Sequence, residues 1–226
     1  FVIATSVMGL TFMGLFGAFV FLPLFFQLVL GKDPAQAGLL LAPMTGGMIM
    51  TSAIGGRIVS ATGRYKVLPV VGLAAATVAF GILMLAARTG GGIALIELTL
   101  IALGCGVGLV MPNLVVAIQN SVGRSEQGAA TATSGFFRSL GGTFGVAMSG
   151  AIMTAQLGGM AGLDGPGGIR SLIEQGVRQV AALPVAEREA VVAAYRHAIS
   201  TAFLAGGALI AAAFLLVLFL PEQPLE

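Results

Sequence analysis

Few side chains in this sequence can do chemistry, and most of those stand inside long uncharged runs. Arg138 interrupts an otherwise uncharged stretch over residues 129–156, and Glu97 lies five residues into another that begins at Ile93. A charge inside such a run is costly in lipid, which makes each a functional candidate. Arg138 has two readings. A helix over 129–156 would be about 42 Å long against an apolar core of about 30 Å. Slid toward one end, it lets Arg138 snorkel or form a salt bridge near the interface; centred, it holds Arg138 deep enough to meet a substrate or ion. Glu97 falls near the opposite surface and reads as interfacial, not as a proton carrier. No Asp or Glu lies near the centre of any run, so proton coupling would not be carried by acids in this part of the chain.

Uncharged candidates come next. Phe12, Phe16, Phe19 and Phe26 fall on one helical stripe with Met8 nearby. Such a stripe either lines an apolar cavity that stacks flat hydrophobic cations or faces lipid. Gln27, Asn113, Gln119 and Asn120 are the amides in or beside the runs. Asn113 follows Pro112 deep in its run, where a buried amide needs a partner.

Other chemistries lack their residues. There is one cysteine, Cys105, and one histidine, His197, so no disulfide, cysteine metal cage or histidine relay is expected. No metal site, cofactor site or catalytic set of Ser, His and Asp is legible, which argues against an enzyme. Gly104-x-Gly106-x-Gly108 sits inside an apolar run and does not follow a strand, so it is not a nucleotide site. A net charge of +2 from scattered residues is no nucleic-acid footprint.

The elements that must position these residues follow from composition. Of 226 residues, 57% are hydrophobic and 9% charged, with a mean hydropathy of +1.01. Soluble domains are about 25% charged, so the chain reads as an all-α polytopic membrane protein. Six runs are long enough to span, over about 2–30, 37–56, 67–87, 93–118, 129–156 and 198–220. Residues 57–66 and 119–128 read as short loops on one side. Residues 157–197 form a long loop on the other, Gly-rich at first, with an amphipathic helix expected over 169–180. That helix reads as a cap at the membrane surface or as a binding element. Residues 185–196 are expected to lead helically into the last run. Basic residues do not orient the chain: Arg57, Arg64, Lys66 and Arg124 on one side face Lys32, Arg88 and four loop arginines on the other.

Gly104 with Gly108, and Gly141 with Gly145, repeat at the spacing that lets helix backbones touch; they serve as packing seams or as hinges. Pro23, Pro43, Pro69 and Pro112 are each expected to kink a helix. The chain opens on Phe1 and enters an apolar run at once, which reads as part of a longer polypeptide. Arginine far outnumbers lysine, as in proteins of GC-rich bacteria.

Gly56-Arg57-Ile58-Val59-Ser60-Ala61-Thr62-Gly63-Arg64-Tyr65-Lys66 resembles the signature loop of the major facilitator superfamily, with Gly56, Gly63, Arg64 and Lys66 matching and Ser60 in place of an Asp. Weakened copies of that loop belong to the second half of such proteins. Gly104-x-Gly106-x-Gly108-Leu109-Val110-Met111-Pro112 is similar to the fourth span of the C-terminal half in the fourteen-span drug:proton antiporters. The stretch from Gly128-Ala129-Ala130 through Arg138-Ser139-Leu140-Gly141-Gly142-Thr143-Phe144-Gly145 is similar to the following loop and span.

The resemblance implies six helices arranged as a 3+3 inverted repeat, one half of a transporter whose partner is its own N-terminal half. It implies export of small hydrophobic or cationic compounds in exchange for protons, with a gating role for the 56–66 loop and the coupling acids largely in the other half. It places the chain in the lipid bilayer of a bacterial inner membrane, with 57–66 and 119–128 cytoplasmic. The alternatives are a facilitator exporting an amino acid or siderophore, and a stand-alone six-helix membrane scaffold.

Overall fold

The structure, a computed structural model, describes residues 1–158 and 184–221; the amphipathic helix expected over 169–180 lies outside them. The described residues form helices α1 (Val2–Phe19), α2 (Leu22–Leu28), α3 (Pro34–Leu39), α4 (Ala42–Thr62), α5 (Val67–Thr89), α6 (Ile93–Asn120), α7 (Gln127–Gly158) and α8 (Val185–Val217), with one 3₁₀ turn at Arg124–Glu126.

Local chemistry sets these boundaries. The Asp33 carboxylate accepts from the Gln36 N–H at 2.8 Å, with Pro34 in the first position of α3. That is an N-cap followed by a residue that needs no donor. Gly63 and Gly90 end α4 and α5 at φ of +67° and +73°, a backbone conformation that glycine adopts without steric cost.

The prolines do not all act as the sequence suggests. Pro23 and Pro43 are the second residues of α2 and α4, and Pro69 lies in the first turn of α5. Their missing N–H groups would have had no helical acceptor there. Only Pro112 stands inside a described helix. Residues 57–62, read as loop, are the end of α4, and the connection to α5 is only residues 63–66. Helix α8 begins at Val185, well ahead of residue 198.

Five helical segments are long and apolar enough to cross a membrane: Val2–Leu28, Pro34–Thr62, Val67–Thr89, Ile93–Asn120 and Arg188–Val217. This is a multi-pass membrane protein. Helix α7 is as long as these at 32 residues, but its glycines, hydroxyl residues and Arg138 make it more polar.

Packing follows two matched seams, α1 against α7 and α4 against α6, and α5 and α8 pack on each other and on the seams. Both seams rest on glycine. A Cβ at Gly104 would overlap the Met44 carbonyl oxygen, and one at Gly108 the Met48 carbonyl. Across the other seam, Gly141 meets the Gly9 carbonyl and Gly145 that of Met13. Without a hydrophobic drive between helices in lipid, such backbone contact supplies the attraction. Phe26, Phe80, Leu100 and Phe203 are among the fully buried side chains of one continuous apolar core.

Candidate functional site

An apolar cavity of about 810 Å³ opens between α1, α4, α6 and α7. Phe12, Phe16 and Phe19 form its α1 wall, Met48, Ile49 and Ser52 its α4 wall, and Val107 and Met111 its α6 wall. Phe12 and Phe16 stack at 5.5 Å between ring centroids. The i, i+4 spacing on α1 puts the two rings on one face.

Arg138 closes the cavity from α7. Its guanidinium carbon lies 5.7 Å from the centre of the Phe12 ring, within the range of cation–π attraction. It is eleven residues beyond Gln127, the first residue of α7, or about 16 Å along the axis. The side chain is exposed on the cavity side of α7. Among the described residues Arg138 has no ion pair. A second cavity of about 320 Å³ adjoins the first and shares Ser52, Met111 and Arg138 with it, adding Met8, Thr131 and Ser134.

The remaining sequence candidates are dispersed. Phe26 does not join the stripe: it is fully buried and packs edge-on to Phe25 at 6.0 Å. The reason is the break at residues 20–21 between α1 and α2, which interrupts the periodicity that linked Phe26 to Phe12. Gln27 lines a separate cavity of about 660 Å³ with Arg188, Glu189 and Arg196. Asn113 is buried, and its amide donates to the Leu109 carbonyl one turn back. The open space it occupies comes from Gly55 of α4, whose position lies 3.3 Å from the Asn113 Nδ2 for an added Cβ. Asn113 thus finds its partner in its own helix. Glu97 is half-buried, four residues into α6 and about 15 Å along that helix from the cavity residue Val107.

Ser52, Thr131 and Ser134 are site residues that sequence reading missed. Serines and threonines are common in apolar helices, and the only signal was their position one or two turns from Met48 and Arg138.

Comparison with known proteins places this architecture. The family model described as Major Facilitator Superfamily matches residues 1–146. The chain belongs to the major facilitator superfamily. The multidrug transporter protein MdtP of Bacillus subtilis is 39% identical over 148 residues, covering 65% of this chain and 27% of that protein. An uncharacterized MFS-type transporter of Mycobacterium tuberculosis is 34% identical over 212 residues, covering 92% of this chain and 30% of its own length. A tetracycline resistance determinant of Streptomyces rimosus is 36% identical over 153 residues, covering 66% of this chain and 43% of that one. The crystal structure of the Escherichia coli fucose:proton symporter FucP superposes with a TM-score of 0.75 at 15% identity, over 99% of this chain and 49% of that one. The chain thus spans between about a quarter and a half of the length of these relatives.

In this facilitator the loop after α4 is clamped. Gly63 turns the chain, Tyr65 is buried, and its hydroxyl donates to the Pro221 carbonyl oxygen at 3.2 Å, tying the loop to the end of α8. Gly56 and Arg64 are exposed and Lys66 is half-buried. Ser60 donates to the Arg57 carbonyl within α4 at 3.0 Å.

Proposed function

We propose that this chain is the C-terminal half of a fourteen-span drug:proton antiporter that exports hydrophobic or cationic compounds across a bacterial inner membrane. The observation that carries the reading is the cavity lined by Phe12, Phe16 and Phe19, which opens on a face of the bundle where Phe16 and Ile49 are exposed. That face suits the N-terminal half of the same protein, which would complete the cavity. Two relatives, a multidrug transporter and a tetracycline resistance determinant, support export.

In this reading α7 is the fifth of six spans, held in the bundle by the Gly141 and Gly145 contacts with α1. The first three spans and the last three form an inverted repeat. Exchanging α1 with α6, α4 with α7 and α5 with α8 maps the α1–α7 seam onto α4–α6, which supports such a repeat. The loop at 63–66 and the connection at 121–126 face the cytoplasm. The loop bearing Gly56, Gly63, Arg64 and Lys66 acts as a gate against the other half, and the coupling acids lie in that half.

The experiment is ethidium transport in everted membrane vesicles carrying the full-length protein. Uptake on energisation, abolished by a protonophore, is expected. Transport that survives collapse of the proton gradient would contradict proton coupling, and absence of transport of every cationic and neutral dye tested would contradict drug export.

A further inference from the structure

The junction of the two cavities carries one sign of charge. Ser52 and Arg138 line both cavities, and no Asp or Glu lines either. Neighbouring hydroxyls are engaged: Thr131 donates to the Gln127 carbonyl at 2.8 Å and accepts from the Gln119 amide at 3.1 Å, and Ser134 donates to the Thr131 carbonyl at 2.7 Å. Among the described residues, Ser52 makes no hydrogen bond and Arg138 no ion pair. The junction therefore offers a hydroxyl and a guanidinium fork as donors, with no acid to neutralise them.

The guanidinium of Arg138 already lies over the Phe12 ring, so a cation stacked there would face a like charge across one ring. An acidic group at the junction would instead meet a guanidinium suited to bidentate carboxylate or sulfonate binding. It would also give a counter-charge to a guanidinium that has no ion pair among the described residues.

We propose that this site binds amphiphiles with an aromatic body and one carboxylate or sulfonate group, the rings against Phe12, Phe16 and Phe19 and the acid at Arg138 and Ser52. The assignment rests on the export reading only in taking the cavity for the cargo site. It adds acidic or zwitterionic compounds to the substrate class and gives Arg138 the role of their recognition residue.

The test is equilibrium binding to the full-length transporter in nanodiscs, corrected with empty nanodiscs. The probes are 8-anilinonaphthalene-1-sulfonate and N-phenyl-1-naphthylamine, which share a ring system and differ by the sulfonate. The wild type is expected to bind the sulfonate about tenfold more tightly, as a charged hydrogen-bonded contact supplies. Arg138→Gln should remove that preference and leave the neutral probe within about twofold, while Arg138→Lys keeps part of it. Ser52→Ala should weaken the sulfonate about threefold. Equal affinity of the wild type for both probes would overturn the proposal, as would an Arg138→Gln loss shared by both. If Arg138→Gln does not fold, the wild-type preference and Ser52→Ala decide. Sulfonate selectivity without any proton-driven transport would sink the export reading and keep this one; ethidium transport without selectivity would do the reverse.

Discussion

The α4–α6 and α1–α7 seams use the same device and end differently. Each brings two glycines one turn apart onto the carbonyls of a facing helix. Across α4–α6 two polar groups are satisfied: Thr51 donates to the Cys105 carbonyl of the facing helix at 2.9 Å, and Asn113 to the Leu109 carbonyl within α6. Across α1–α7 the buried Ser149 hydroxyl has no partner, and Arg138 leans from the seam into the cavity. Backbone contact through glycine holds helices together in either case. What reaches a ligand are the polar groups that neither seam uses, Arg138 of α7 and Ser52 of α4.

The largest effect tests what the seams share. Gly104→Val and Gly141→Val each push a branched side chain into a facing carbonyl, and overpacking of this kind costs at least about 1–3 kcal/mol. Both should sharply lower the folded full-length protein recovered by size-exclusion chromatography. Gly46→Ala and Gly150→Ala, on α4 and α7 with open space around them, should not. Equal yields from all four would break the account of the seams.

A smaller effect separates the seams. Thr51→Val removes a hydrogen bond across α4–α6 and should cost about 1 kcal/mol. Ser149→Ala removes a hydroxyl that is bonded to nothing and should be neutral within about 0.5 kcal/mol or slightly stabilising. Thermal unfolding of the two variants in one detergent checks the difference, and the reverse order would mean that the α1–α7 seam is the satisfied one.

At Arg138 the expected effect falls on substrate handling more than on stability. Arg138→Gln forfeits a cation–π contact worth about 0.5–1 kcal/mol, so membrane levels should stay near wild type while substrate handling changes. A collapse in protein level would return Arg138 to a structural role.

Much of this was legible in the sequence because it is local. Asp33-Pro34, Gly63 and Gly90 mark helix ends by capping chemistry, and the two glycine pairs announce seams. The prolines were less legible: sequence shows that a residue is proline but not whether it opens a helix or interrupts one, and three of the four open one. Phe26 left the stripe because the break after Phe19 carries no proline or glycine at residues 20–21, only bulky apolar residues that resemble continuous helix. Arg138 was identified, but its place over the Phe12 ring depends on how α7 is registered against α1, which the Gly141–Gly9 contact sets. Ser52 gave no signal, since its importance comes from facing α7 across the cavity.

The cavity wall on α1 is the centre of the account, and Phe16 is its most open ring, 42% exposed. The most direct measurement is export by the full-length transporter carrying Phe16→Ala, at matched protein levels, across neutral, cationic and anionic aromatic compounds. The account predicts an altered order of preference among them, with the aromatic compounds weakened most. Unchanged export of every compound would contradict it and place the α1 aromatic face against lipid.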